Sequence, residues 1–330
     1  MKQSEAAVAE GQAQQRRIHY PPIPNGIDYL RDVVDRLARE SGEPSERDLK
    51  YAVLHLQAAA EVLLKARLHD AHWSLVIAKA EKTNRKKFEK GEFESATNHE
   101  TVRRLVDVVG LDISADDMKT LLDLATTRNK LQHWGITEEV NAVITEAAGV
   151  LDFLIRFLDQ HVLPGLDVDD TEAIADDLEQ IRTGLWRIES YVANRMKRLK
   201  ESDLKGHEVR TVQCPDCGQF SLIVDGDANN CLFCPRGWTD PLELASAYDE
   251  AFGYFPPPGD ICEDTLVDCA DCCTPTLVLE AKTVANDRVV PLCFNCAEIQ
   301  DSLETCMRYL RPYRPTEEEA ICSDCFVDLG

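Results

Sequence analysis

All thirteen cysteines of this 330-residue chain lie beyond residue 213, and that asymmetry limits what each part can fold into. Most fall in Cys-x-x-Cys pairs, the spacing that metal ions select, and so many unpaired thiols point to a reducing compartment. The first two-thirds has no such staples and must close around apolar side chains, which a chain with 44% hydrophobic residues can supply. Its length allows two or three domains. No run approaches the roughly eighteen apolar residues of a membrane span. Met1 to Gln15 is polar, without the apolar block of a secretory signal. The expected location is the cytoplasm, with no membrane partner.

Apolar spacing makes the first part helical. Residues 1–25 read as a flexible arm closed by the rigid turn Tyr20-Pro-Pro-Ile-Pro24. Ile27 to Arg39 supports a first helix. From Glu46, the residues Leu49, Val53, Leu56, Ala60 and Leu63 recur every three or four positions, one face of a helix reaching Leu68. After a loop, a short helix runs from Asn98 to Val109 and is stopped by Gly110. Ser114 is a good N-cap for the next helix, with Asp116 and Asp117 where the dipole favours acids. That helix turns Met118, Leu121, Leu122 and Ala125 inward and stops at Gly135. Thr137 is expected to cap a further helix with the stripe Val140, Ile144, Ala147, Leu151, Leu154 and Leu158. The expected fold is mainly α: a helical bundle over residues 26–165, then an acidic linker and one long helix, Glu172 to Lys200, within residues 166–206.

The remainder reads as two small β units, residues 207–256 and 257–330. Cys214-Pro-Asp-Cys217 and Cys231-Leu-Phe-Cys234 flank Phe220 to Gly226, a short apolar strand running into a turn. Two such pairs on one hairpin place four thiolates around a tetrahedral zinc, the zinc-ribbon pattern. Cys269, Cys272, Cys293 and Cys296 repeat it around Thr276 to Glu280 and Arg288 to Pro291, with Cys273 as an alternative to Cys272. Cys322 and Cys325 form half of a third site, for which Cys262, Cys273 and Cys306 are candidate partners; free thiols are the alternative. Four thiolates leave no open coordination position, so these zinc ions would be structural rather than catalytic.

Net charge is −23, which argues against a general nucleic-acid coat. The acids concentrate late: from Asp240 onward there are 19 Asp/Glu against 5 Lys/Arg, so the ribbons repel phosphate and suit protein docking. The counter-example is Lys79, Lys82, Arg85, Lys86, Lys87 and Lys90, a basic cluster that is either a solvated loop or an RNA-backbone contact.

Arg-x4-His occurs three times, as Arg67…His72, Arg128…His133 and Arg156…His161. Only the middle pair has an amide, Asn129, directly after the arginine, on a helix that otherwise packs inward. Asn129 and His133 are four apart and share a face, with Arg128 on the adjoining edge, so one cleft can receive all three.

Here the chain resembles the HEPN superfamily, helical domains whose signature is Arg-x4-6-His, often with a polar residue after the arginine. The matching residues are Arg128, Asn129 and His133. The resemblance covers residues 26 to 163 and extends to Glu61, Lys65 and Arg67, which look like the Glu/Lys/Arg pattern of some members, although Glu61 and Lys65 are also an ordinary i,i+4 pair. It implies a homodimer in which two signatures meet, and an endoribonuclease that needs no catalytic metal. His133 would transfer the proton, Arg128 would hold the phosphate, and Asn129 would orient one of them. The products would carry 2′,3′-cyclic phosphate ends, in a toxin or phage-defence setting. Members silenced by a nucleotidyltransferase carry a tyrosine second after the histidine; this chain has Gly135 there. The rival expectation is a non-enzymatic dimeric adaptor docking proteins through its zinc ribbons.

Overall fold

The computed structural model describes residues 18–39, 43–226, 228–234, 236–253, 266–286, 288–307 and 312–315. The protein is mainly helical, with small antiparallel sheets toward the C-terminus. It divides into two compact units, Met1–Ile181 and Arg182–Gly330. No described helix is long and apolar enough to cross a membrane.

The helical unit is organised around α1 (Pro22–Leu37) and α2 (Glu46–Ala71). Pro22 and Pro24 do not form a turn ahead of α1, as their sequence implies, but sit in its first turn. The N–H groups there have no helical acceptor, so a residue lacking one loses nothing. Ser45 opens α2 with a capping box, its hydroxyl accepting from the Asp48 amide while Asp48 accepts from Ser45. Ile27, Leu30, Val33 and Val34 bury against the small and branched face of α2, including Ala52, Leu56, Ala59, Ala60 and Leu63. Asp32 ties the pair together, accepting from Arg36 and from His55 Nδ1 at 2.5 Å each.

The segment after α2 holds a short α3 (Arg85–Glu89). Then α4 (Asn98–Arg104), capped by Thr97 and Glu100, runs into a π turn, Leu105–Val109, that ends on Gly110 at φ +82°. Next, α5 (Ala115–His133) is capped by Ser114, whose hydroxyl accepts from the Asp117 amide at 3.0 Å. Its fully buried residues are Leu121 and Leu124; Met118, Leu122 and Ala125, expected inward, are half-buried. Finally, α6 (Val140–Phe157) begins after Glu139 without a side-chain cap, so Thr137 does not cap it. Residues 135–139 cross to it in irregular backbone, and burial of Val143, Ala147, Ala148 and Leu151 holds its start in place.

The long helix expected from Glu172 to Lys200 is two helices. In α7 (Val168–Leu185), the acids expected as a linker instead form the first turns, where Asp167 Oδ1 accepts from the Asp170 amide. The division between the two units falls within α7. The chain leaves the helix at Trp186 and Arg187, and Ile188 is extended (φ −95°, ψ 93°) and buried before α8 (Glu189–Glu201) begins. An apolar stripe reads the same across such a break, because Ile188 stays inward on either side of it. Gly184 weakens the helix just before.

In the second unit, β1 (Thr211–Gln213), β2 (Phe220–Ile223), β3 (Asn229–Cys231) and β4 (Gly237–Trp238) form an antiparallel sheet in chain order. A second sheet orders β5 (Leu266–Val267), β6 (Leu277–Ala281) and β7 (Val290–Cys293). Between them lies α9 (Pro241–Phe252), which the cysteine-centred reading passed over although Asp240 as N-cap followed by Pro241 announces it. Buried Tyr248 of α9 accepts from the Lys282 amide and meets Phe294 edge-on. The sheets also join directly, through a bridge between Val212 and Thr283 and a bond from the Val284 amide to the Thr211 carbonyl. On the first sheet rests α8: Arg195 donates to the Leu232 carbonyl and Tyr191 packs edge-on against Phe233.

Candidate functional site

The three Arg-x4-His pairs differ in what their arginines already hold. Arg156 donates to Asp117 at 2.7 Å and pairs with Asp152, and its partner His161 packs on Phe157, where burial and then the charge of Arg67 push the imidazole below its ordinary pKa. Arg67 pairs with Asp70 at 3.1 Å, and His72 Nδ1 is taken up by Ser74. Arg128 has no carboxylate partner among the described residues; its Nη1 donates to the adjacent Asn129 Oδ1 at 2.9 Å. His133 is exposed in the last turn of α5, and Trp134 beside it is 96% exposed.

A concavity of about 370 Å³ opens where α2, α4 and α5 converge. From α5 it is lined by Ala125, Arg128 and Asn129, and from α2 by Gln57 and Glu61. Thr97, Asn98 and His99 close it at the start of α4. Arg128 and Asn129 thus share one cleft, and Glu61 joins them. His133 does not line it but stands one turn further along α5. Lys65 is not directed at the concavity; its ammonium is held by Glu61 Oε1 at 2.5 Å and Ser95 Oγ at 2.9 Å.

Sequence reasoning missed Gln57, Asn98 and His99. Gln57 carried a readable signal, an amide inside the small-residue face of α2, but a polar residue in a stripe shows its purpose only when neighbouring helices leave a gap beside it.

The basic residues lie on another segment. Lys82, Arg85, Lys86 and Lys87 are exposed and do not line the concavity. Arg85 is engaged with Glu89 at 2.9 Å and lies over the Trp73 ring.

The cysteines form two compact groups. Cys214, Cys217, Cys231 and Cys234 bring their sulfurs within 4.8 Å of one another, and so do Cys269, Cys272, Cys293 and Cys296. The separations Cys214–Cys234 and Cys217–Cys231 are both 3.7 Å, and Cys272–Cys293 and Cys269–Cys296 are 3.6 and 3.8 Å. Four thiolates about 2.3 Å from a central ion have tetrahedral edges of about 3.8 Å, so the donor sets fit a metal ion. All four turns share one hydrogen bond, from the amide of the first cysteine to the carbonyl five residues on: Cys214 to Gln219, Cys231 to Arg236, Cys269 to Thr274 and Cys293 to Glu298.

In three of these turns the residue after the second cysteine is left-handed: Gly218 (φ +70°), Cys273 (φ +55°) and Ala297 (φ +59°). That geometry decides between Cys272 and Cys273, since Cys273 occupies the left-handed position and points out to solvent. Cys306 is buried and belongs to neither group. Cys262, Cys322 and Cys325, on which a third site depends, lie outside the described residues.

No family model, curated protein or solved structure matches the chain.

Proposed function

We propose that the helical unit is a HEPN-like endoribonuclease that works as a homodimer, and that the two cysteine groups hold structural zinc in ribbon-type sites. One observation supports this above the others: among three Arg-x4-His pairs, Arg128…His133 alone keeps its guanidinium clear of carboxylates and its imidazole open, beside a concavity. An arginine already neutralised by an acid is a weak phosphate ligand, whereas Arg128 has its fork of donors available.

RNA carries its own nucleophile. The 2′-oxygen bonds to the adjacent phosphorus, the bond from phosphorus to the 5′-oxygen breaks, and the products are a 2′,3′-cyclic phosphate and a 5′-hydroxyl. One proton leaves the 2′-hydroxyl and one reaches the departing oxygen, and His133 of each protomer supplies one of these transfers. Arg128 offsets the charge that builds on the phosphorane oxygens. Asn129, bonded to Arg128, sets its direction. The nearly complete exposure of Trp134 next to His133 fits burial against a second copy.

Such an enzyme would serve as a toxin or phage-defence effector in the cytoplasm. The acidity of the second unit favours one further role, docking of a basic protein partner; with no chemistry at all, that would leave the adaptor reading.

The test incubates labelled RNA with the full-length protein in buffer without added metal. His133→Ala and Arg128→Ala are each expected to lose about 100-fold or more in cleavage, and DNA is expected to survive. Trp134→Glu is expected to give a monomer by light scattering, with cleavage lost. Equal cutting by wild type and His133→Ala would remove the histidine from the reaction, and no cutting by either would leave the adaptor.

A further inference from the structure

Gln57 sits in the wall of the concavity on α2, only 2% exposed, and its Oε1 has no hydrogen-bond partner. An acceptor buried without a donor forgoes a hydrogen bond that water would have given it, so a bound molecule that supplies the donor gains what the empty fold lacks. Glu61 lies four residues on, on the same face of α2, and lines the same space. Its Oε1 is fixed by Lys65, and no described residue bonds its Oε2. A ligand that uncovers the Gln57 Oε1 finds two neighbouring acceptors on the α2 wall. The amides of Asn98 and Asn129, from α4 and α5, offer donors and acceptors to the same space.

We propose that the concavity is a guanine-binding subsite, which rests on the ribonuclease reading and assigns that enzyme its base preference. Among the four RNA bases only guanine carries two adjacent N–H donors, at N1 and the exocyclic N2, on one edge. These match the acceptors of Gln57 and Glu61, while the amides of Asn98 and Asn129 can donate to O6 and N7. Adenine and cytosine place a ring acceptor beside the amino group, where it meets the Glu61 carboxylate. Uracil offers one N–H between two carbonyls. The volume is within the range of small-molecule sites, and Arg128 at the same cleft would meet the phosphate attached to the bound nucleoside.

The experiment titrates the full-length protein with the 3′-monophosphates of guanosine, adenosine, cytidine and uridine by calorimetry, and separately maps the cut positions in an RNA of mixed sequence. Guanosine monophosphate is expected to bind about tenfold or more tightly than the others, with cuts clustering beside guanosines. Gln57→Leu and Glu61→Gln should flatten that preference. Because Gln57 is buried, Asn98→Ala, at a partly exposed helix start, provides a second variant expected to weaken guanosine binding while the unfolding temperature stays unchanged.

Equal binding of all four nucleotides, or a preference that survives both α2 variants, overturns the subsite. Selective guanosine binding without RNA cleavage keeps the subsite and removes the ribonuclease. Cleavage with no base preference does the reverse.

Discussion

Glu146 illustrates how a single side chain couples this fold to pH. It faces α5 from α6, where Thr127 donates to its Oε2 at 3.1 Å while its Oε1 is buried without a partner. Burial, reinforced by the negative charges of Asp123 and Glu138, lifts its pKa above the ordinary carboxylate range. The folded state therefore holds this proton more tightly than the unfolded chain does, so the contribution of Glu146 to stability is greatest in acid and is lost as pH rises through the raised value. Glu146→Gln removes the titration. Its melting temperature is expected to exceed wild type by about 2 °C at pH 7, with the gap closing near about pH 4, as thermal scans across pH would show. Asn129 singles out one Arg-x4-His pair of three in the sequence, and the structure adds that Arg128 of that pair has no carboxylate partner among the described residues. The pairs Arg67–Asp70 and Arg156–Asp152 are three and four residues apart and within reach of the sequence, but Asp117 lies far from Arg156 along the chain and only the fold brings them together.

At the scale of elements, the packing of α1 on α2 depends on a missing methyl group. A Cβ on Gly26 of α1 would stand 2.5 Å from both Cγ and Cδ2 of Leu63, a fully buried residue of α2. Replacing glycine with alanine raises helix propensity by about 1 kcal/mol, but forcing a methyl into a filled contact costs about 1–3 kcal/mol. Gly26→Ala is therefore expected to lower the stability of the helical unit, measured by denaturant titration. Gly149→Ala on α6, where the new carbon would meet only Thr120 Cγ2 at 3.1 Å, is expected to be close to neutral. Helix existence was readable from apolar period and, for α5, from the Ser114 cap; the structure adds Ser45 and Thr97 as the caps of α2 and α4. Boundaries set by packing were less so. The break at Trp186 to Ile188 and the uncapped start of α6 follow from which side chains find room inward, and periodicity does not encode that.

For the whole molecule, the two cysteine groups are structural elements of one unit rather than separate beads. Gly226, at the turn after β2, approaches the Asn295 carbonyl so closely that a Cβ would stand 2.5 Å from it, and Asn295 lies inside the second cysteine turn. Strands of two to five residues cannot hold such an arrangement alone. The structural zinc proposed for these groups would contribute about 10–16 kcal/mol of binding free energy, the range found for small zinc-finger folds. Mass spectrometry of the native protein is expected to find at least two zinc ions per chain. Stripping them with a strong chelator should abolish the cooperative transition of the second unit and leave most of the far-ultraviolet helical signal. Retention of both transitions after complete removal would show that the metal does not hold this unit together.

The sequence by itself determined the helical first part, the pairing of cysteines into two groups of four and the arginine, amide and histidine on one helix, because each depends on spacing along a regular element. The tertiary structure decided which arginine stays clear of carboxylates, that Cys273 points away from its group, that α9 and α8 pack on the sheets, and that Gln57, Glu61 and Asn98 meet Arg128 around one space. Those outcomes come from the convergence of α2, α4 and α5 and from the fit of one sheet against another. Residues that are distant in sequence become neighbours only when apolar burial and the demand for hydrogen-bond partners choose a single packing.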